Sequence, residues 1–106
     1  MDIEKGKFVS PDFHAHLKAR MLERGVTEEE VEQTMEKGWE AADAKAGTRG
    51  KVFVFPFNSE WEGKAFAEKE VTVYYKLAGG KFVLLTVKAR YGESFSKGGG
   101  EDANRI

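Results

Sequence analysis

Cysteine is missing from this sequence, which excludes disulfides and thiolate metal sites and suits a reducing cytoplasm. Histidine is scarce. His14 and His16 stand two residues apart, a spacing that on a helix points them in different directions. With no third histidine to complete a ligand set, neither a structural zinc nor a cofactor is expected. No run of 18 apolar residues occurs and no signal-like apolar stretch follows Met1, so no membrane span and no export are expected. An excess of one charge is lacking too. The 17 basic and 18 acidic residues leave a net charge of −1, which argues against coating nucleic acid through bulk charge.

What is present suffices for one domain. A chain of 106 residues, 41% hydrophobic and 12% aromatic, has one core rich in large side chains. The domain is expected over residues 1–95. Residues 96–106, with Gly98, Gly99 and Gly100, have too little apolar content to pack and read as a flexible tail.

Two helices are expected first. Ser10 reads as an N-cap with Pro11 at the first helical position, and Phe13, Leu17 and Met21 recur every fourth residue as one apolar stripe. Gly25 is placed to end that helix in a left-handed conformation. Thr27 and Glu30 form a capping box for the second helix, with Val26 and Val31 as its hydrophobic staple and Gly38 as its stop. Its glutamates, Glu28 to Glu36, read as a solvated face that complements the helix dipole.

Strand character follows. Lys7 to Val9 reads as a short edge strand, and residues 41–50 as a loop. Lys51 to Phe57 reads as a strand that lies at an edge or ends at Pro56, which lacks a ladder donor, and residues 58–63 as a turn carrying Trp61. Lys69–Leu77 and Phe82–Tyr91 read as a hairpin around Gly79 and Gly80. A two-residue loop there sets Val71, Val73, Tyr75 and Leu77 on the opposite face from Val83, Leu85, Val87 and Ala89. A three-residue loop unites them, and it is expected because a slip of one residue flips every side chain. The other face then carries Thr72, Tyr74, Lys76, Leu84, Thr86, Lys88 and Arg90. The fold class is α+β: two N-terminal helices on one face of a twisted antiparallel sheet of about three to four strands.

The chemistry-bearing residues are few. His16, Arg20 and Arg24 lie four apart, in line along the edge of the apolar stripe. Histidine exchanges protons near neutral pH and arginine holds phosphate bidentately. The plainer reading is that the arginines bury their stems and pair with carboxylates. No glycine-rich phosphate loop and no nucleophile elbow is present.

The segment Ser10-Pro11 to His16-x-x-x-Arg20-Met21-x-x-Arg24-Gly25-Val26, followed by a capped acidic helix, resembles a small bacterial family named only as a domain of unknown function. Phe55-Pro56-Phe57-Asn58-x-x-Trp61-x-Gly63-Lys64, Lys69-x-Val71, Thr86-Val87 and Tyr91-Gly92 continue the resemblance over about residues 7 to 95. Phe66 stands where that family has tyrosine. The family is similar in fold to RelE/ParE-type toxins, and this implies metal-independent RNA cleavage by 2′-hydroxyl attack, with RNA as substrate and a protein such as an antitoxin as partner. On that resemblance His16 serves as base or acid, and Arg20, Arg24 or Arg90 stabilises the transition state. Lys69, Tyr91 or Lys64 transfers the second proton, and Tyr74 and Trp61 stack on a base. Lys88 lies on the same strand face as Tyr74 and Arg90 and joins Arg24, Lys69 and Tyr91 among the expected substrate contacts. The alternative is a non-catalytic interaction module of the same fold, using the sheet face with Tyr74, Leu84 and Lys88 or an unpaired edge.

Overall fold

The computed structural model describes residues 14–97, as two helices and a four-stranded antiparallel sheet in the order β1-β2-β3-β4. The elements are α1 (Ala15–Arg24), α2 (Glu28–Lys37), β1 (Trp39–Glu40), β2 (Arg49–Trp61), β3 (Lys64–Ala78) and β4 (Lys81–Gly92). The expected strand at residues 7–9 and the residues after 97 lie outside the described part.

Ser10, Pro11 and Phe13, read as the start of the first helix, also lie outside the described part, within which α1 begins at Ala15. His14, in an extended conformation, is the N-cap: its Nδ1 accepts the Leu17 N–H, and its Nε2 lies 3.0 Å from the Leu84 carbonyl. One tautomer satisfies both bonds, with the proton on Nε2. The helix ends as expected at Gly25, φ 74°, where the Val26 N–H reaches the Met21 carbonyl and the Gly25 N–H the Leu22 carbonyl. The capping box of α2 is complete: the Glu30 N–H donates to Thr27 Oγ1 and the Thr27 N–H to Glu30 Oε1. The backbone turns extended at Gly38, which ends α2, and only glycine fits there, since a Cβ would stand 2.5 Å from the carbonyl oxygens of both Thr34 and Val52.

The hairpin corrects the expected register. The loop has two residues, Gly79 and Gly80, both at positive φ, so Leu77 faces Phe82. The two apolar sets are nevertheless reunited by a bulge in β4. Tyr75 pairs with Leu84 and Tyr74 with Thr86, leaving Leu85 as the extra residue. Beyond the bulge Val73 pairs with Val87 and Val71 with Ala89, as the three-residue loop would have given. Leu84 accordingly sits in the core, 0% exposed, and not on the polar face.

Strand β2 is longer than expected. It runs through residues 58–61, with a register shift between Pro56 and Ser59, and turns only at Glu62-Gly63, so β3 begins at Lys64. Pro56 is tolerated because β1 pairs only with Lys51 and Val52, leaving the outer side of Pro56 unpaired among the described strands. Leu17, Met21, Val26, Val31 and Met35 from the helices meet Val71, Val73, Tyr75, Leu84 and Val87 in one core. Both helices thus cover the same face of the sheet. No described helix is long and apolar enough to cross a membrane.

Candidate functional site

Strand alternation divides the expected site residues between two faces. On the face under the helices the cross-strand rungs are Lys51, Val73, Val87; Phe53, Val71, Ala89; and Phe55, Lys69, Tyr91. On the far face they are Gly50, Tyr74, Thr86; Val52, Thr72, Lys88; and Val54, Glu70, Arg90.

The helix face gathers Phe57, Trp61, Lys69 and Tyr91 beside the turn between α1 and α2. Lys69 is 3% exposed. Its ammonium donates to the Gly25 carbonyl and, at 2.8 Å, to Glu30 Oε1, and it lies 5.5 and 5.6 Å from the ring centres of Phe57 and Tyr91. Tyr91 stacks on Trp61 at 5.0 Å and meets Phe57 and Phe66. Its hydroxyl donates to the Arg24 carbonyl at 2.6 Å. Burial first, then the charges of Glu30 and Glu62, push its pKa up to about 12. Trp61 packs so closely on Gly25 that a Cβ there would lie 2.5 Å from the indole ring. The lysine closes the carbonyl end of one helix and neutralises the capping carboxylate of the next. These are structural tasks. Lys69 and Tyr91 therefore sit apart from Tyr74 and Lys88, with which they share the expected role of substrate contact.

The helical line is split in a second way. His16 is exposed, its ring stacked on His14 at 6.1 Å, and Arg20 is paired with Glu23 at 3.0 Å. Arg24 is exposed at the helix end, and it is its carbonyl that Tyr91 engages. Arg90 lies on the far face, so the sheet stands between it and the helix that bears His16 and Arg20. The three groups expected to act together do not share a cleft. Lys64 begins β3 at the far end of that strand from Tyr74. No group of three or more histidine, aspartate or glutamate residues suited to a metal occurs among the described residues.

The far face, by contrast, gathers chemistry. Arg90 Nε donates to Glu70 Oε1 at 2.8 Å, and its guanidinium lies 5.0 Å from the Phe95 ring centre. Glu70 chiefly holds the Arg90 pKa above the ordinary arginine value. The loop between β1 and β2 brings Asp43 across to β3 and β4. Tyr74 Oη lies 2.9 and 3.1 Å from its two carboxylate oxygens, and Lys88 Nζ lies 2.9 Å from Oδ2. The Lys88 ammonium and then the Tyr74 hydroxyl hold the Asp43 carboxyl below the usual carboxylate range. Two clefts of about 350 Å³ each flank this contact. One is lined by Lys45, Thr48, Tyr74 and Thr86, the other by Thr72, Glu70, Lys88 and Arg90, and Asp43 lines both.

Comparison with family models, with curated proteins and with solved structures finds no match to this chain.

The site so built is Tyr74, Lys88 and Arg90 with Asp43 and Glu70. The first three follow from strand alternation in the sequence. Glu70 was recoverable from the hairpin register, because opposite charges directly across an antiparallel pair attract. Nothing in the sequence pairs Asp43 with β3 and β4, 31 and 45 residues away.

Proposed function

We propose that this chain is a small RNA-binding module whose far sheet face holds a phosphate and an adjacent unstacked base. One observation carries the reading: Tyr74, Lys88 and Arg90 lie on three successive rungs of one face, beside two clefts. Single-stranded RNA is recognised by cations on its phosphates and by aromatic rings under its bases, and this face supplies both. The footprint is two cations, so the affinity is modest. The accompanying carboxylates make the face nearly neutral, in keeping with the net charge of −1.

Titration of a fluorescent uridine hexamer by anisotropy tests this. Lys88→Ala and Arg90→Ala are expected to weaken binding several-fold each, and His16→Ala to leave it unchanged. With about two phosphates neutralised, the slope of log K against log salt is expected near −1.4, about −0.7 per phosphate. Loss of affinity on His16→Ala, with no effect of Lys88→Ala, would reject the far face.

A second reading, toxin-like cleavage, is favoured by the Glu70–Arg90 pair. On this reading Glu70 takes the 2′-hydroxyl proton, so that the 2′-oxygen attacks phosphorus. Arg90 meets the added charge, and Lys88 or Tyr74 returns a proton to the departing 5′-oxygen. A 2′-deoxy analogue separates the two readings: binding alone survives it, cleavage does not. On either reading a protein partner such as an antitoxin would cover this same face.

A further inference from the structure

We infer that the Tyr74 hydroxyl and the Lys88 ammonium form a discrete site for a phosphodiester oxygen pair, and that Asp43 occupies it in the free chain as a built-in competitor. The inference rests on the RNA-binding reading and deepens it. Two donors from neighbouring strands converge on one carboxylate, with contacts of 2.9 and 3.1 Å from Tyr74 and 2.9 Å from Lys88. A phosphodiester presents the same pair of anionic oxygens to donors, so the geometry that receives the aspartate suits it as well. The site is reachable, because the side chains of Lys88 and Asp43 are 45% and 58% exposed.

The clefts supply an independent argument. Asp43 is the lining residue that both share. On this proposal the ligand takes the place of this one side chain, at the point where the cleft beside Tyr74 adjoins the cleft that holds Thr72, Lys88, Glu70 and Arg90. A nucleotide laid across the two clefts has a ring at one end, an ammonium in the middle and a guanidinium at the other. The loop that carries Asp43 is held at its two ends, where the Ala41 N–H donates to the Gly50 carbonyl of β2 and Thr48 bonds back to Lys45, so displacement asks only the exposed Asp43 side chain to turn away. An exposed pair of this kind is weak enough for a ligand to displace.

The test compares the full chain with Asp43→Ala, with Asp43→Asn, which keeps the shape, and with Glu32→Ala, an equal charge change on the exposed side of α2. Binding of the uridine hexamer is read by anisotropy, and binding of inorganic phosphate by shifts of the Tyr74 and Lys88 resonances. Asp43→Ala is expected to tighten RNA binding about two- to tenfold, the lower figure being the release of one exposed ion pair. Adding Lys88→Ala should abolish that gain, and phosphate should shift Tyr74 at lower concentration than in the wild type. Equal tightening by Glu32→Ala would reduce the effect to bulk charge and overturn the inference. RNA binding that depends on Lys88 but is indifferent to both Asp43 variants would overturn the competitor and leave the RNA-binding reading standing. Absence of binding in every variant, with folding verified by melting, would remove both.

Discussion

Lys69 and Lys88 lie on opposite faces of one sheet, and each sets its ammonium within 2.8–2.9 Å of a carboxylate oxygen. By distance alone the two ion pairs are the same. Their surroundings differ: the Lys69 side chain is 4% exposed beside a 22% exposed glutamate, whereas the values for Lys88 and Asp43 are 45% and 58%. Lys69 has given up water and been repaid by a carbonyl, a carboxylate and two ring faces, so removing any of these leaves charge or polarity stranded. Lys88 has kept its water and can exchange one anion for another. One face buries its cation in the fold; the other holds its cation in an exposed pair.

The harshest test of this contrast is Gly25→Ala. The backbone is left-handed there and the new methyl meets Trp61, so the change forces strain and overpacking together, about 2–4 kcal/mol in urea unfolding. Next comes Lys69→Met, expected to cost roughly 2–3 kcal/mol, somewhat below a fully buried pair because Glu30 keeps part of its solvent. Tyr91→Phe removes the bond to the Arg24 carbonyl, worth about 1 kcal/mol. It also changes the alkaline limb of stability. The folded pKa, about 12, lies above the ordinary tyrosine value of 10.0, so the Tyr91 contribution is complete below pH 10 and is lost as pH rises toward 12. Unfolding measured over pH 9–12 should show that part of the fall vanish in the variant. Smallest is Lys88→Met, expected within about 0.5 kcal/mol of wild type while RNA affinity drops. A cost above that of Lys69→Met would erase the distinction between the faces.

Local signals were legible in the sequence where local physics decides. The Thr27–Glu30 box and the Gly25 stop stand as read, because each concerns groups a few bonds apart, and Val26 and Val31 are both buried in the core. The helix start at His14 was hidden because its ring also bonds Leu84, 70 residues away. The sheet faces were read correctly near Val71 and Val87 and misread at Leu84, because a bulge cannot be deduced from alternation alone. The motif residues were legible as a set but not in role. Gly25, Trp61, Lys69 and Tyr91 converge, yet only burial shows that the lysine is turned into the fold, and only the register sets Arg90 across the sheet from His16.

Glu30 answers two obligations with one carboxylate oxygen: it caps Thr27 next door and holds Lys69 from 39 residues away. Fraying of the start of α2, ordinarily the cheapest motion a helix has, here strands a buried cation in the root of β3. The helix terminus and the central strand should therefore open as one cooperative unit. Amide protons at Thr27 and Glu30 would then exchange at the slow pace of the β3 ladder.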